Sequence, residues 1–158
     1  MTSTSDASAF ARRVAWLLGR YMKVQEELFK PSLGKILRIP GLYRPVDYGE
    51  NRRILKELLS ELSEVKSDIR RLRPGQEESV STEDRFLGVL RRYVSQMGDA
   101  VEMLADICGR LKTRSEGGVY ARAEYKRDMA ELREAQRKHL DTGAALNEML
   151  KELERGGA

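Results

Sequence analysis

The chain has 158 residues, 41% of them hydrophobic and 34% charged, with a net charge of +4. This length suits one domain with a buried core, and the mixture of charged and hydrophobic residues is typical of long amphipathic helices. A single cysteine, Cys108, excludes an intramolecular disulfide, and a single histidine, His139, excludes zinc sites built from several Cys and His ligands. We therefore expect one helical-bundle domain over residues 1–158, with no cofactor and no bound metal ion.

The N-terminal segment favours a cytoplasmic protein. It begins with the polar run MTSTSD, and the apolar run that follows covers only Val14 to Leu18, which is too short for a signal-peptide core. A mitochondrial presequence is the alternative, because the segment contains serine and arginine and little acid. No apolar run approaches the roughly 18 residues of a membrane span, so we expect no membrane association.

The first helix is predicted over about residues 6–30, with Ser5 and Asp6 suited to cap its start. Its hydrophobic residues recur at alternating spacings of four and three, the a/d heptad pattern of coiled coils and helical bundles. This stripe consists of Phe10, Val14, Leu17, Tyr21, Val24 and Leu28. Pro31 ends the helix, because proline disfavours helical geometry in the residue before it.

The next segment, residues 31–49, is predicted to be a long linker that contains Pro31, Pro40 and Pro45. Its cations are candidates for contact with a partner, and its apolar residues are candidates to cover neighbouring helices. The candidate contact residues are Lys35, Arg38, Tyr43 and Arg44, and the apolar ones are Leu33, Ile36, Leu37, Ile39 and Leu42. Because about twenty extended residues reach roughly 65 Å, the sequence leaves open at which end of the bundle the second helix starts.

The second and third helices are predicted over residues 50–73 and 82–114, and both continue the heptad pattern. The expected buried stripes are Leu55, Leu58, Leu62, Val65, Ile69 and Leu72, and then Leu87, Leu90, Val94, Met97, Val101, Leu104, Cys108 and Leu111. Ser81 or Thr82 is suited to cap the third helix. We expect Cys108 to act as a small buried hydrophobic residue, because an apolar stripe opposes the low pKa of a reactive thiol.

The fourth helix, predicted over residues 119–155, is less regular. Gln136, His139 and Gly143 occupy the register in which the other helices carry Leu, Val or Met. The favoured interpretation is a polar core layer that sets the packing register. The alternative is that Gly143 makes room for a ligand or for a close helix crossing.

Four helices with short second and third turns predict an all-α, antiparallel four-helix bundle with a long proline-containing linker between helices 1 and 2. The second hairpin is predicted to be longer than the first by about 15 Å, at 1.5 Å per residue. Its excess apolar surface would be covered by the linker or by a second copy of the chain.

Catalytic motifs are scarce in this sequence, which contains no phosphate-binding loop and no nucleophile elbow. The segment Arg133-Glu-Ala-Gln-Arg-Lys-His139 is loosely similar to the RNA-cleaving motif of HEPN domains, an arginine followed after five residues by a histidine. This seven-residue resemblance implies metal-independent RNA cleavage by Arg133 and His139, usually across a dimer. The favoured alternative is that His139 is a buried polar residue. We therefore expect no enzymatic activity and no small-molecule substrate.

The charge pattern predicts a basic end and an acidic end. In an antiparallel bundle, the start of helix 2, the end of helix 3 and the start of helix 4 meet at one end, with the linker nearby. The candidate binding residues there, besides those of the linker, are Arg52, Arg53, Arg110, Lys112, Arg114, Arg122, Lys126 and Arg127. Arginines among tyrosines suit phosphate backbones and exposed bases, and they suit acidic protein surfaces equally well.

Two function classes follow, and the first is favoured. The first is a non-catalytic interaction subunit or adaptor that binds protein partners or a second copy of itself. The second is a nucleic-acid-binding subunit, similar in size and charge to the small helical subunits of ribonucleoprotein complexes such as those lining CRISPR effectors. A HEPN-like ribonuclease is the remote third hypothesis.

Overall fold

The computed structural model describes residues 4–29, 46–72 and 81–156, and within these ranges it consists of four helices and no strands. The helices are α1 (Thr4–Phe29), α2 (Tyr48–Leu72), α3 (Thr82–Ser115) and α4 (Arg122–Gly156). The predicted all-α helical bundle is confirmed. The longer second hairpin is confirmed as well, since α3 and α4 have 34 and 35 residues against 26 and 25 in α1 and α2.

The second helix starts inside the segment predicted as linker, which corrects that boundary by two residues. Tyr48 and Gly49 are already helical, because Asp47 caps the helix: its Oδ1 accepts a hydrogen bond of 2.9 Å from the backbone N–H of Glu50. Most of the linker, residues 31–45, lies outside the described residues, as does residue 30, the predicted last residue of the first helix. The predicted covering role of its apolar side chains therefore stays a prediction.

The other helix ends agree only in part with the sequence. Ser81 caps α3 as predicted, accepting a hydrogen bond of 3.1 Å from the backbone N–H of Asp84. The first helix begins at Thr4, two residues before its predicted start, so the predicted cap residues Ser5 and Asp6 fall within the helix. The fourth helix begins at Arg122 rather than at residue 119, since the chain first turns through Gly117, whose φ of +93° favours glycine.

Consecutive helices are antiparallel. Arg13 and Arg20 of α1 pair with Asp68 and Glu61 of α2 at 2.8 and 2.9 Å, so the numbering descends along α2 as it rises along α1. The pairs α2–α3 and α3–α4 are antiparallel in the same way. The end of α1, the start of α2, the end of α3 and the start of α4 therefore share one end of the bundle. This answers the question that the linker length leaves open.

The third helix is the centre of the bundle, because it packs against α2, α4 and α1, whereas α2 and α4 do not meet within the described ranges. Its buried residues form the largest share of the core. Cys108 is fully buried there, and burial raises its pKa to about 12, which confirms its predicted core position. The predicted core position of Leu72 is wrong, because this last residue of α2 is 41% exposed. None of the described helices is both long enough and apolar enough to cross a membrane.

Candidate functional site

The candidate binding residues on the described helices lie at one end of the bundle, which we call the basic end. Its members are Arg52, Arg53, Arg110, Lys112, Arg114, Arg122, Lys126 and Arg127, all exposed. The guanidinium of Arg52 lies across the end of α3, with its Nε 3.3 Å from the point where a Cβ on Gly109 would lie. The linker candidates Lys35, Arg38, Tyr43 and Arg44 lie outside the described residues.

Acidic neighbours neutralise part of the basic end. Arg53 forms ion pairs with Glu50 and Glu57 on its own helix, and its hydrogen bond lowers the pKa of Glu50. Lys112 pairs with Glu116 at 3.6 Å. These pairs are exposed and therefore weak, but they reduce the positive field that a partner would meet.

A second group of basic-end residues packs around the turn before α4. The Tyr120 hydroxyl donates a hydrogen bond of 2.5 Å to Asp128, and Arg110 pairs with the same carboxylate. Burial opposes ionisation of Asp128, but the hydrogen bonds from Tyr120 and Arg110 outweigh it and lower its pKa. Arg114 lies over the rings of Tyr120 and Tyr125 at 5.8 Å. We interpret this cluster as a set of structural contacts that hold the start of α4 against the end of α3.

Five cations of the basic end have no carboxylate within ion-pair distance among the described residues: Arg52, Arg114, Arg122, Lys126 and Arg127. The last three lie in the first two turns of α4. They are the part of the predicted site that remains available to an anionic partner.

The HEPN-like segment does not bring its two residues onto one surface. Arg133 is exposed, whereas His139 is only 2% exposed. Six residues correspond to about one and two-thirds helical turns, so the two side chains leave α4 in different directions. The chain by itself therefore does not present the arginine–histidine pair that the resemblance implies.

His139 is instead enclosed by two tyrosine rings. Tyr21 of α1 and Tyr93 of α3 meet it edge to face, with ring centroids 6.3 and 5.6 Å away. Neither of its ring nitrogens has a hydrogen-bond partner among the described residues, and burial lowers its pKa. The imidazole is therefore a neutral polar group in the core. An unpaired buried polar group of this kind costs about 1–3 kcal/mol.

The other two polar-layer residues have separate structural roles. Gln136 of α4 donates a hydrogen bond of 2.9 Å from Nε2 to the Tyr21 hydroxyl, which joins α4 to α1. At Gly143 a Cβ would lie 3.1 Å from Cε2 of Tyr93. The Tyr93 ring therefore takes the room left by this glycine. The absence of a side chain at Gly143 allows α3 and α4 to pack closely.

Beyond the Gln136–Tyr21 hydrogen bond, α1 and α4 leave a groove of about 300 Å³ between them. Its floor is α3, and its surface is mainly apolar. The lining residues are Ala11, Val14, Ala15 and Leu18 of α1, Phe86, Leu90 and Tyr93 of α3, and Leu140, Gly143, Ala144, Leu146, Asn147 and Leu150 of α4. Leu140 remains 60% exposed on its wall. A concave, mainly apolar site with few polar groups is typical of binding sites.

A row of cations lies on one face of α4, and we call it the basic stripe. It consists of Arg122, Lys126, Arg133, Arg137 and Lys151, all exposed. Its members lie before or after the groove segment Leu140–Leu150, in which the charged residues of α4 are Asp141 and Glu148. Spacings of four and seven residues place side chains on one helix face, and the same spacings connect the stripe to Leu140 and Ala144 in the groove wall. The acids that pair with Arg137 and Lys151 belong to α4 itself.

Sequence reasoning missed the groove. The residues that form its walls, such as Ala15 and Ala144, lie beside the heptad stripes and are small, so they carry no strong pattern. The spacing of the cations in α4 was the available signal for the stripe. The groove becomes apparent only in the tertiary structure, in which α1 leaves that side of α4 uncovered.

Within the described ranges, no group of three or more His, Cys, Asp or Glu side chains is arranged to hold a metal ion. Comparisons with protein-family models, curated proteins and solved structures found no match to this chain. Function is therefore inferred from the geometry of the groove.

Proposed function

We propose that this protein is a non-catalytic interaction subunit that binds an amphipathic helix of a partner protein in the α1–α4 groove. The groove itself is the observation that supports this function most directly. Its floor contains Phe86 and Leu90, and the exposed Leu140 stands on its wall. Amphipathic helices bind apolar grooves through side chains one turn apart, which matches an elongated site between two helices.

The dimensions of the groove suit a short helix. Along α4 it extends from Leu140 to Leu150, about 15 Å at 1.5 Å per residue, which corresponds to about three turns of a bound helix. Ala15 and Ala144 on opposite walls are small, so a helix of the partner can approach without meeting long side chains at these two positions.

A display library of amphipathic helical peptides tests this function. Peptides of about 18 residues span about five turns and would be selected on the immobilised full chain. We expect selected peptides to lose at least about tenfold in affinity, or about 1.4 kcal/mol, when Ala144→Trp fills the groove.

The matched control is Ala145→Trp, the next residue of α4, which is also exposed but does not line the groove. This variant should bind the selected peptides as the unmodified protein does. Absence of any selected peptide, or equal losses in both variants, would contradict the proposed function.

Nucleic-acid binding is the second candidate, favoured by Arg122, Lys126 and Arg127, none of which has a carboxylate within ion-pair distance among the described residues. We expect single-stranded RNA to bind with an affinity that falls steeply with salt, and Gln at these three positions to flatten that dependence. A titration by fluorescence anisotropy measures both. Absence of binding at about 50 mM salt would exclude this candidate.

A further inference from the structure

We infer that the partner helix carries a side-chain amide, from Asn or Gln, at the position that meets Tyr93 on the groove floor. This inference rests on the proposed function, and it adds the chemistry that determines which helices the groove accepts and in which register. It follows from a hydroxyl group in the groove that has no hydrogen-bond partner among the described residues.

The groove presents few polar groups. Among the described residues that line it, only Tyr93 and Asn147 have polar side chains. Asn147 is exposed on the α4 wall, so its amide can stay in contact with water when a partner is bound. Tyr93 belongs to the floor and is only 5% exposed. Its hydroxyl is therefore the polar group that any occupant of the groove would cover.

The Tyr93 hydroxyl is unpaired among the described residues but is not fully enclosed. The ring meets His139 edge to face, and the unpaired nitrogens of His139 are completely buried, whereas the Tyr93 hydroxyl keeps some exposed surface. Burial raises the pKa of Tyr93 to about 12, so the hydroxyl is protonated at neutral pH. It can therefore both donate and accept a hydrogen bond from the groove.

Tyr93 gives the floor a polar end and an apolar end. Its Cε2 lies 3.1 Å from the point where a Cβ on Gly143 would lie, which places the ring beside the early part of the α4 wall. Leu90 and Phe86 follow along the floor, three and seven residues before Tyr93, so the apolar part extends about 10 Å from it. A bound helix must match this order, which determines its register.

An amide suits this position because the protein already uses one for a neighbouring tyrosine. Gln136 of α4 donates a hydrogen bond of 2.9 Å from Nε2 to the hydroxyl of Tyr21, just beyond the groove. An amide carries a donor and an acceptor but no charge, so it loses less hydration energy above an apolar floor than a charged group does. An apolar side chain over Tyr93 would remove water from its hydroxyl without replacing the hydrogen bond, which is unfavourable.

A double-mutant cycle tests the inference. The peptide library varies Gln, Asn, Leu and Ala at each position of the face that meets the floor, and it is selected on the full chain. We expect an amide to be enriched at one position. Replacing this amide by Leu should weaken binding to the unmodified protein at least about fivefold. The difference should disappear on Tyr93→Phe.

The matched controls are Tyr125→Phe and Asn147→Ala. The first removes the same hydroxyl group near the start of α4, and the second removes the other polar side chain of the groove. Both variants should keep the preference for an amide. A preference that survives Tyr93→Phe or is lost in Asn147→Ala overturns the inference, as does equal binding of amide and Leu peptides. The proposed function still stands in these cases, provided that Ala144→Trp abolishes binding.

Stability and mass give two further measurements. Tyr93→Phe should unfold at the same urea concentration as the unmodified protein, because its hydroxyl makes no hydrogen bond to the described residues. A clear loss of stability would overturn the inference, since the hydroxyl would then already have a partner. A dimer, measured by light scattering, that Ala144→Trp converts to a monomer would also overturn it, since the groove would then hold a second copy. We expect a monomer in both proteins.

Discussion

The α2–α3 interface is closed, whereas the α1–α4 interface opens into a groove. On the closed side, α2 presents large side chains such as Leu58 and Val65, which have no exposed surface. On the open side, α4 presents the small residue Ala144 and the polar residue Asn147 in the groove wall. Large apolar residues fill the space between two helices, and small or polar ones leave it unfilled. Small residues beside the heptad stripes thus leave the surface at which we propose that a partner helix binds.

The largest expected difference is between a leucine of the closed interface and one of the groove. Leu58→Ala should cost about 2–5 kcal/mol of unfolding free energy, because it leaves a cavity in a filled core. Leu140→Ala should cost less than about 0.5 kcal/mol, since this side chain is mostly exposed. Urea unfolding followed by circular dichroism measures both. Similar losses would mean that α1 and α4 are packed as tightly as α2 and α3.

Replacing the buried histidine should stabilise the protein. His139→Leu removes two ring nitrogens that have no hydrogen-bond partner among the described residues, at similar side-chain volume. We expect a gain of about 1–3 kcal/mol in the same urea experiment. A loss of stability would show that His139 makes a polar interaction that compensates its burial.

The same histidine should make stability depend on pH. Burial lowers its pKa in the folded protein below the ordinary value of 6.5, so the unfolded chain binds more protons once the pH falls below about 6.5. Stability should therefore decrease from about pH 7 to about pH 5, above the range in which most carboxylates titrate. His139→Leu should be nearly flat over this range. An equal slope in both proteins would assign the pH dependence to other groups.

A smaller effect is expected where α1 and α4 meet. Tyr21→Phe removes the hydroxyl that accepts the hydrogen bond from Gln136 and should cost about 0.5–1.5 kcal/mol. Faster amide hydrogen exchange in α1 and α4 should accompany it. Tyr125→Phe is the control, since the ring of Tyr125 packs beside Tyr120 in the turn and not at this interface. Comparable losses in both variants would mean that the Gln136 hydrogen bond contributes nothing specific.

The smallest effects concern two helical glycines. Gly98→Ala should stabilise α3 by about 0.5–1 kcal/mol, because alanine favours helix and its Cβ would meet nothing within 4 Å. Gly143→Ala should stabilise the protein less or destabilise it, since the added Cβ would approach the Tyr93 ring at 3.1 Å. Thermal unfolding compares the two variants. An equal gain would show that the Tyr93 ring moves aside freely.

Much of the fold could be predicted from the sequence, because the relevant signals are local. Heptad spacing indicates most of the buried faces, and the residues before the third helical pattern leave two cap candidates, Ser81 and Thr82, of which the structure selects Ser81. Asp47 was missed as a cap because it follows a proline-rich segment that resembles linker throughout. The candidate binding residues on the described helices share one end of the bundle as expected, but the pairing of Arg110 with Asp128, 18 residues away, carries no local signal.

The sequence by itself determined the helices and most of their buried faces, because both follow from the periodicity of neighbouring residues. Only the tertiary structure decided that α1 and α4 leave a groove above Phe86 and Leu90. The separation of two helices depends on the side chains of the helix beneath them and on the hydrogen bond between Gln136 and Tyr21. These contacts join residues far apart in the chain, so no local pattern specifies them.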